Sequence, residues 1–116
     1  MTFTTNEKQT AVRIYDRTIL NCKKMQPKFA VGTSQATLLV NRIAALAVVR
    51  DLVTEAKPAP TQDAIIAAEA PIQSIIHKML TAQQKHVATD QVYKRLTPMI
   101  AAMQLGASYL HSARTK

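Results

Sequence analysis

Three histidines, His77, His86 and His111, are the side chains best suited to move a proton near neutral pH. His77 and His86 are nine positions apart, so they do not share the i, i+4 face on which a helical metal site holds two imidazoles. No histidine has a partner at a useful spacing. We therefore expect a structural or solvated role for each of them.

The sequence contains one cysteine, Cys22, which excludes a disulfide framework and a multi-cysteine zinc or iron–sulfur site. Cys22 falls on the apolar stripe of the first predicted helix, where a free cysteine normally packs as a small hydrophobe. Asp51 and Glu55 are four positions apart, but Arg50 and Lys57 flank them, as is typical of surface electrostatics. Neither the thiol nor the carboxylates form a catalytic set.

The two glycines, Gly32 and Gly106, are too few for a phosphate-binding loop or for the turn that presents a nucleophilic serine. They are also too few for the many turns of an all-β fold. We expect no enzymatic activity and no cofactor or metal. With 116 residues, 47% of them hydrophobic, the chain should form one globular domain over residues 1–116.

Hydrophobic periodicity predicts four helices, roughly over residues 5–26, 35–56, 62–84 and 90–113. A residue that can cap a first turn precedes each helix: Thr4, Thr33 or Ser34, Thr61, and Thr89. Helices of equal length joined by short connectors favour an all-α, antiparallel up-down-up-down four-helix bundle. Pro71 and Pro98 fall inside helices three and four, so a kink, or a break near Ala70, is expected to disturb the bundle.

Positive charge is unevenly spread along the chain, which has a net charge of +8. Residues 1–28 carry six basic and two acidic groups, residues 29–84 four of each, and residues 85–116 five and one. Because helices one and four are neighbours in the predicted bundle, we expect a joint basic face. Its members would be Arg13, Arg17, Lys24, Lys94, Arg95, Arg114 and Lys116.

A basic face would attract phospholipid headgroups, nucleic acid or an acidic protein surface. The alternative interpretation is that it serves only solubility. Nucleic acid is the least favoured of these partners, because the few aromatic residues are scattered and no short recognition helix follows a tight turn.

Helix four contains a second candidate surface, formed by Met99, Met103 and Tyr109. Small residues at Ala102, Gly106 and Ala113 would let a neighbouring backbone approach closely. A methionine stripe at helical spacing is typical of core packing, and it is also suited to adaptable partner binding. The sequence leaves both interpretations open.

The N-terminal segment from Met1 to Lys8 is polar and lacks the apolar run of a signal peptide. The longest apolar run, from Ile43 to Val49, is far shorter than the roughly 20 residues of a membrane span. Together with the single thiol, these features predict a cytoplasmic protein.

Two segments resemble the enterocin A immunity family, whose members protect lactic acid bacteria from pediocin-like bacteriocins. The first is Ile14-Tyr15-Asp16 in helix one. The second is the pattern of the last helix, which runs through Thr89, Gln91, Leu96, Met99, Ile100, Gly106-Ala107 and Tyr109.

The resemblance implies a small four-helix bundle that acts without catalysis. Such a protein binds a bacteriocin-engaged membrane receptor, the mannose phosphotransferase permease, from the cytoplasmic side and blocks the pore. A basic face would suit peripheral contact with an anionic inner leaflet. The alternative hypothesis is a helical interaction or regulatory module. Dimerisation through the apolar excess of helix two is one form that such a module could take.

Overall fold

The computed structural model describes residues 2–114, which form four α-helices and no β-strand. The helices are α1 (Thr5–Met25), α2 (Ser34–Thr54), α3 (Gln62–Gln84) and α4 (Gln91–Arg114), and a single 3₁₀ turn, Gln26–Lys28, follows α1. The predicted helices are confirmed, with ends that differ by no more than two residues.

Threonine side chains cap the first three helices, as the sequence predicts. The hydroxyl oxygens of Thr4, Thr33 and Thr61 accept hydrogen bonds from the third backbone N–H of α1, α2 and α3, respectively. At α1 the Glu7 carboxylate also accepts from the Thr4 N–H at 2.8 Å, which completes a capping box. These bonds satisfy donors that the first turn leaves without partners.

The cap of α4 is Asp90, and the prediction of Thr89 is wrong by one residue. The Asp90 Oδ1 accepts from the Val92 N–H at 2.7 Å, and the Asp90 carbonyl accepts from the Lys94 N–H. Aspartate caps at least as well as threonine and adds a negative charge at the positive end of the helix dipole. Residue type therefore favours Asp90 over the adjacent Thr89 as the cap.

Neither proline interrupts its helix, so the expected break near Ala70 does not occur. Pro71 lies within the continuous α3 and Pro98 within the continuous α4. A proline removes one backbone hydrogen bond, and the packing of α3 and α4 against each other along their length compensates for that loss.

The helices pack in the antiparallel order that the connectors favour. Each helix contacts its neighbours in sequence, α1 also contacts α4, and α2 touches α4 across the diagonal. Gln83, near the end of α3, donates to the carbonyl of Tyr93 at the start of α4, while Gln62 at the start of α3 donates to Ala113. The all-α four-helix bundle is thus confirmed.

Packing is close where α1, α2 and α4 meet. Tyr15 of α1 is fully buried, and its hydroxyl donates a hydrogen bond to the Ala102 carbonyl of α4. A Cβ atom at Gly106 would lie 2.9 Å from the Tyr15 Oη and 3.3 Å from the Val49 Cβ of α2. The close approach expected from the small residues of helix four is therefore present, and Gly106 allows it.

Candidate functional site

The three histidines lie on three different parts of the chain: α3, the α3–α4 connection and α4. His77 and His111 are exposed on α3 and α4, and no cluster of His, Cys, Asp or Glu suited to a metal ion occurs within residues 2–114. His86 differs from the expectation that it has no partner, because its Nδ1 lies 3.4 Å from the Asp90 Oδ2. Both residues lie at the α3–α4 connection, and their i, i+4 spacing could have indicated the contact.

The two oxygens of the Asp90 carboxylate have different partners, Val92 at the start of α4 for Oδ1 and His86 in the connection for Oδ2. Its hydrogen bond from the Val92 N–H is the main reason that the pKa of Asp90 lies below its usual range, and the contact with His86 adds to this effect. The carboxylate therefore stays ionised well into the acidic range. This arrangement holds the loop and the helix start together, and it needs no ligand.

Cys22 packs in the interior, as its place on the apolar stripe predicts. Its side chain is buried, and burial raises the pKa of the thiol, although the positive charge of Arg42 on α2 opposes this rise. The reactive thiolate is consequently disfavoured at neutral pH.

The three residues of the predicted contact surface on helix four differ in their burial. Met103 is fully buried, so the structure corrects its assignment from a partner contact to the core. Met99 and Tyr109 are half-buried. The Tyr109 ring stacks on Phe3, with 6.1 Å between the ring centroids. This contact packs the N-terminal segment against α4.

The predicted members of the basic face have different surroundings, and Arg114 is paired with an acidic side chain. Arg114 reaches α3, where its Nη1 lies 3.0 Å from the Glu69 Oε2. Arg13 borders a groove between α1 and α2, beside Val53 and Thr54. Lys116 lies outside the described residues. The remaining four, Arg17, Lys24, Lys94 and Arg95, are exposed.

The positive charge is organised by the ends of the bundle instead of by its helices. We call the half that contains the α1–α2 and α3–α4 connections, residues 15–44 and 73–102, the basic end. It carries nine basic side chains against two acidic ones, whereas the other half of the described chain carries five of each. The nine are Arg17, Lys23, Lys24, Lys28, Arg42, Lys78, Lys85, Lys94 and Arg95.

The charges of the basic end are accessible. All nine side chains are exposed except the half-buried Arg42, and none forms an ion pair within residues 2–114. Of the two acidic groups, Asp16 forms an ion pair with Arg50 at 3.2 Å, and Asp90 accepts a hydrogen bond from the Val92 N–H. The basic end therefore projects an uncompensated positive potential toward solvent.

Sequence reasoning missed this arrangement because the charges in the middle of the chain sum to zero. Residues 29–84 carry four charges of each sign, but all four acidic groups, Asp51, Glu55, Asp63 and Glu69, lie toward the α2–α3 connection. Arg42 and Lys78 lie at the opposite end. Charge counted within each half-helix, and not along whole segments, would have revealed the separation.

No family model, curated protein or solved structure matches the chain in the three comparisons made. None of the helices within residues 2–114 is both long and apolar enough to cross a membrane. The fold and the surface define a four-helix bundle with one strongly basic end.

Proposed function

We propose that the protein is a cytoplasmic bacteriocin immunity protein that acts without catalysis. It binds a membrane receptor that bacteriocin has engaged, and it thereby prevents leakage through that receptor. The observation that carries the proposal is the basic end, because it is an accessible cationic surface on a bundle of the kind that the family resemblance implies. The mannose phosphotransferase permease is the receptor that the resemblance suggests.

The basic end suits such a target for an electrostatic reason. The cytoplasmic leaflet around a membrane receptor is anionic, and its potential extends about one Debye length, roughly 8 Å at physiological salt. A bundle with a charge surplus at one end is attracted end-on, with the α1–α2 and α3–α4 connections leading. The opposite end, where acidic and basic groups balance, remains in the cytoplasm.

The test of the proposal is protection of a living cell. The chain is expressed in a bacteriocin-sensitive strain, and the strain is challenged with a panel of pediocin-like peptides. We expect survival against one peptide or a few related ones. Uniform killing, with the protein shown to be folded and abundant, would contradict the proposal.

Charge-reversal variants test the role of the basic end within that assay. The double variant Lys94→Glu and Arg95→Glu should lose protection, because it replaces two positive charges at the leading end with negative ones. Lys8→Glu with Lys57→Glu is the matched control, since both lysines lie in the balanced half of the bundle. Circular dichroism of each variant establishes that the fold persists. Equal protection by all variants would exclude a role for the charge.

A dimeric interaction module is the second candidate. The observation that favours it is the exposure of Leu38 and Val40 on α2. Sedimentation showing a tight dimer, which the double variant Leu38→Ser and Val40→Ser converts to a monomer, would support it. A monomer at all accessible concentrations would contradict it.

A further inference from the structure

Exposed large apolar side chains are concentrated at the basic end. Eight such side chains occur within residues 2–114, and seven of them lie in this half: Leu20, Met25, Val31, Leu38, Val40, Leu80 and Val87. Ile66 is the one in the other half. The same half of the molecule therefore combines the charge surplus with apolar surface that is open to solvent.

Val31 projects from the tip of the α1–α2 connection. The turn is closed by the Thr33 N–H, which donates to the Ala30 carbonyl at 3.2 Å, and by the Thr33 hydroxyl, which donates to the same oxygen at 2.8 Å. Gly32 occupies the left-handed region at φ +90°, which favours glycine. The turn thus holds Val31 outward, and its side chain is fully exposed.

Val87 has the corresponding position in the α3–α4 connection. Its carbonyl accepts from the Asp90 N–H at 2.9 Å, which closes a second turn, and its side chain is 69% exposed. In an up-down-up-down bundle these two connections lie at the same end. A lysine precedes each tip closely, Lys28 before Val31 and Lys85 before Val87.

We propose that the basic end docks directly on an anionic lipid bilayer, with Val31 and Val87 inserted among the headgroups. Lys28 and Lys85, in the same connections as the tips, would lie at the level of the lipid phosphates. The inference rests on the proposed function for its cellular setting, and it adds that the lipid itself, and not only a protein receptor, is bound.

The apolar tips distinguish a lipid surface from nucleic acid, the other polyanion. A bilayer offers acyl chains just below its phosphates, so aliphatic tips surrounded by lysines match both layers. A nucleic acid offers phosphates and stacked bases, for which aromatic side chains are the usual apolar partners. Val31 and Val87 have no ring with which to stack.

Vesicle sedimentation tests the charge requirement. Vesicles of phosphatidylglycerol and phosphatidylcholine in equal parts are compared with vesicles of phosphatidylcholine alone, using the full chain. We expect binding to the anionic vesicles only. Lys28→Gln and Lys85→Gln should each weaken it about fivefold, as expected for one cation at an anionic surface. Lys57→Gln, an exposed lysine in the other half, is the matched control and should change nothing.

Tryptophan substitution tests insertion of the tips. The sequence contains no tryptophan, so Val31→Trp, Val87→Trp and the control Ile66→Trp each carry a single indole. With anionic vesicles, the emission of the two tip variants should shift to the blue and be quenched by brominated lipid acyl chains. Ile66→Trp should show neither change, although Ile66 is also exposed. Val31→Ser with Val87→Ser should weaken vesicle binding about tenfold, and Ile66→Ser should not.

Each result bears on the inference separately from immunity. Binding to phosphatidylcholine alone, equal shifts in all three tryptophan variants, or tighter binding to a DNA duplex than to anionic vesicles would overturn it. Vesicle binding with no protection in cells would leave the inference standing and remove the immunity proposal. Protection in cells without any vesicle binding would overturn the inference and leave the immunity proposal standing.

Discussion

At the scale of single residues, the contact of Gly106 with Tyr15 sets how closely α1 and α4 pack. The Tyr15 hydroxyl cannot retreat from an added methyl group, because its ring is fully buried and it is hydrogen-bonded to the Ala102 carbonyl. Burial also raises the pKa of Tyr15, so the hydroxyl keeps its proton and remains a donor at neutral pH. The contact is a fixed part of the core.

Gly106→Ala should therefore destabilise the protein, even though alanine favours a helix by about 1 kcal/mol over glycine. Overpacking against Tyr15 and Val49 costs about 1–3 kcal/mol and should exceed that gain. Urea unfolding measures the free energy. In a Tyr15→Phe background, which lacks the clashing oxygen, the loss should be smaller. A Gly106→Ala variant more stable than the wild type would show that the helices can separate at little cost.

The capping carboxylates predict how stability depends on acid. Hydrogen bonds with Thr4 lower the pKa of Glu7, and those described above lower the pKa of Asp90. A carboxyl with a lowered pKa in the folded state stabilises the protein above its unfolded pKa, near 4, and this contribution is lost as pH falls through the folded value. The Tm should accordingly fall from about pH 5 downward.

A double variant isolates that contribution. Glu7→Gln with Asp90→Asn retains acceptors at both positions but removes the titration, since asparagine caps a helix about as well as aspartate. Its Tm should decline less between about pH 5 and pH 2 than that of the wild type. Parallel declines would show that other carboxyl groups govern the acid sensitivity.

At the scale of elements, each helix is defined mainly by its start. The N-terminal caps place α1, α2 and α3 at the predicted residues, whereas the prolines inside α3 and α4 change neither helix boundary. Local hydrogen bonds thus determine where a helix begins. Packing between helices determines whether it continues past an unfavourable residue.

Thr61→Ala tests the cap of α3. The Thr61 hydroxyl accepts from the Ala64 N–H at 3.2 Å, and its removal should lower the free energy of unfolding by about 1 kcal/mol in urea titration. Thr37→Ala is the matched control, because Thr37 is exposed within α2 and should change stability by less than about 0.5 kcal/mol. Equal effects would mean that α3 starts independently of its cap.

At the scale of the whole molecule, crowding of like charges at the basic end opposes folding. Raising NaCl from 10 mM to 150 mM shortens the Debye length from about 30 Å to about 8 Å and should raise the Tm by a few degrees. Lys24→Gln with Lys94→Gln should flatten this dependence, whereas Lys8→Gln with Lys57→Gln, in the balanced half, should not. Differential scanning calorimetry provides the measurement. A salt response that is identical in both double variants would contradict the charge separation as its cause.

The sequence by itself determined the four helices, three of their caps and the up-down order, because capping bonds, periodicity and short connectors act locally. It also predicted the close approach of a neighbouring helix at Gly106, since only small residues permit one. The tertiary structure alone decided that Met103 is core and that Arg114 joins Glu69. It also decided that cations and apolar tips share one end. The physical reason is that antiparallel packing places residues distant in sequence at the same level. The hairpin of α2 and α3 therefore carries Arg42 and Lys78 toward its open end and its four acidic groups toward its connection, although its net charge is zero.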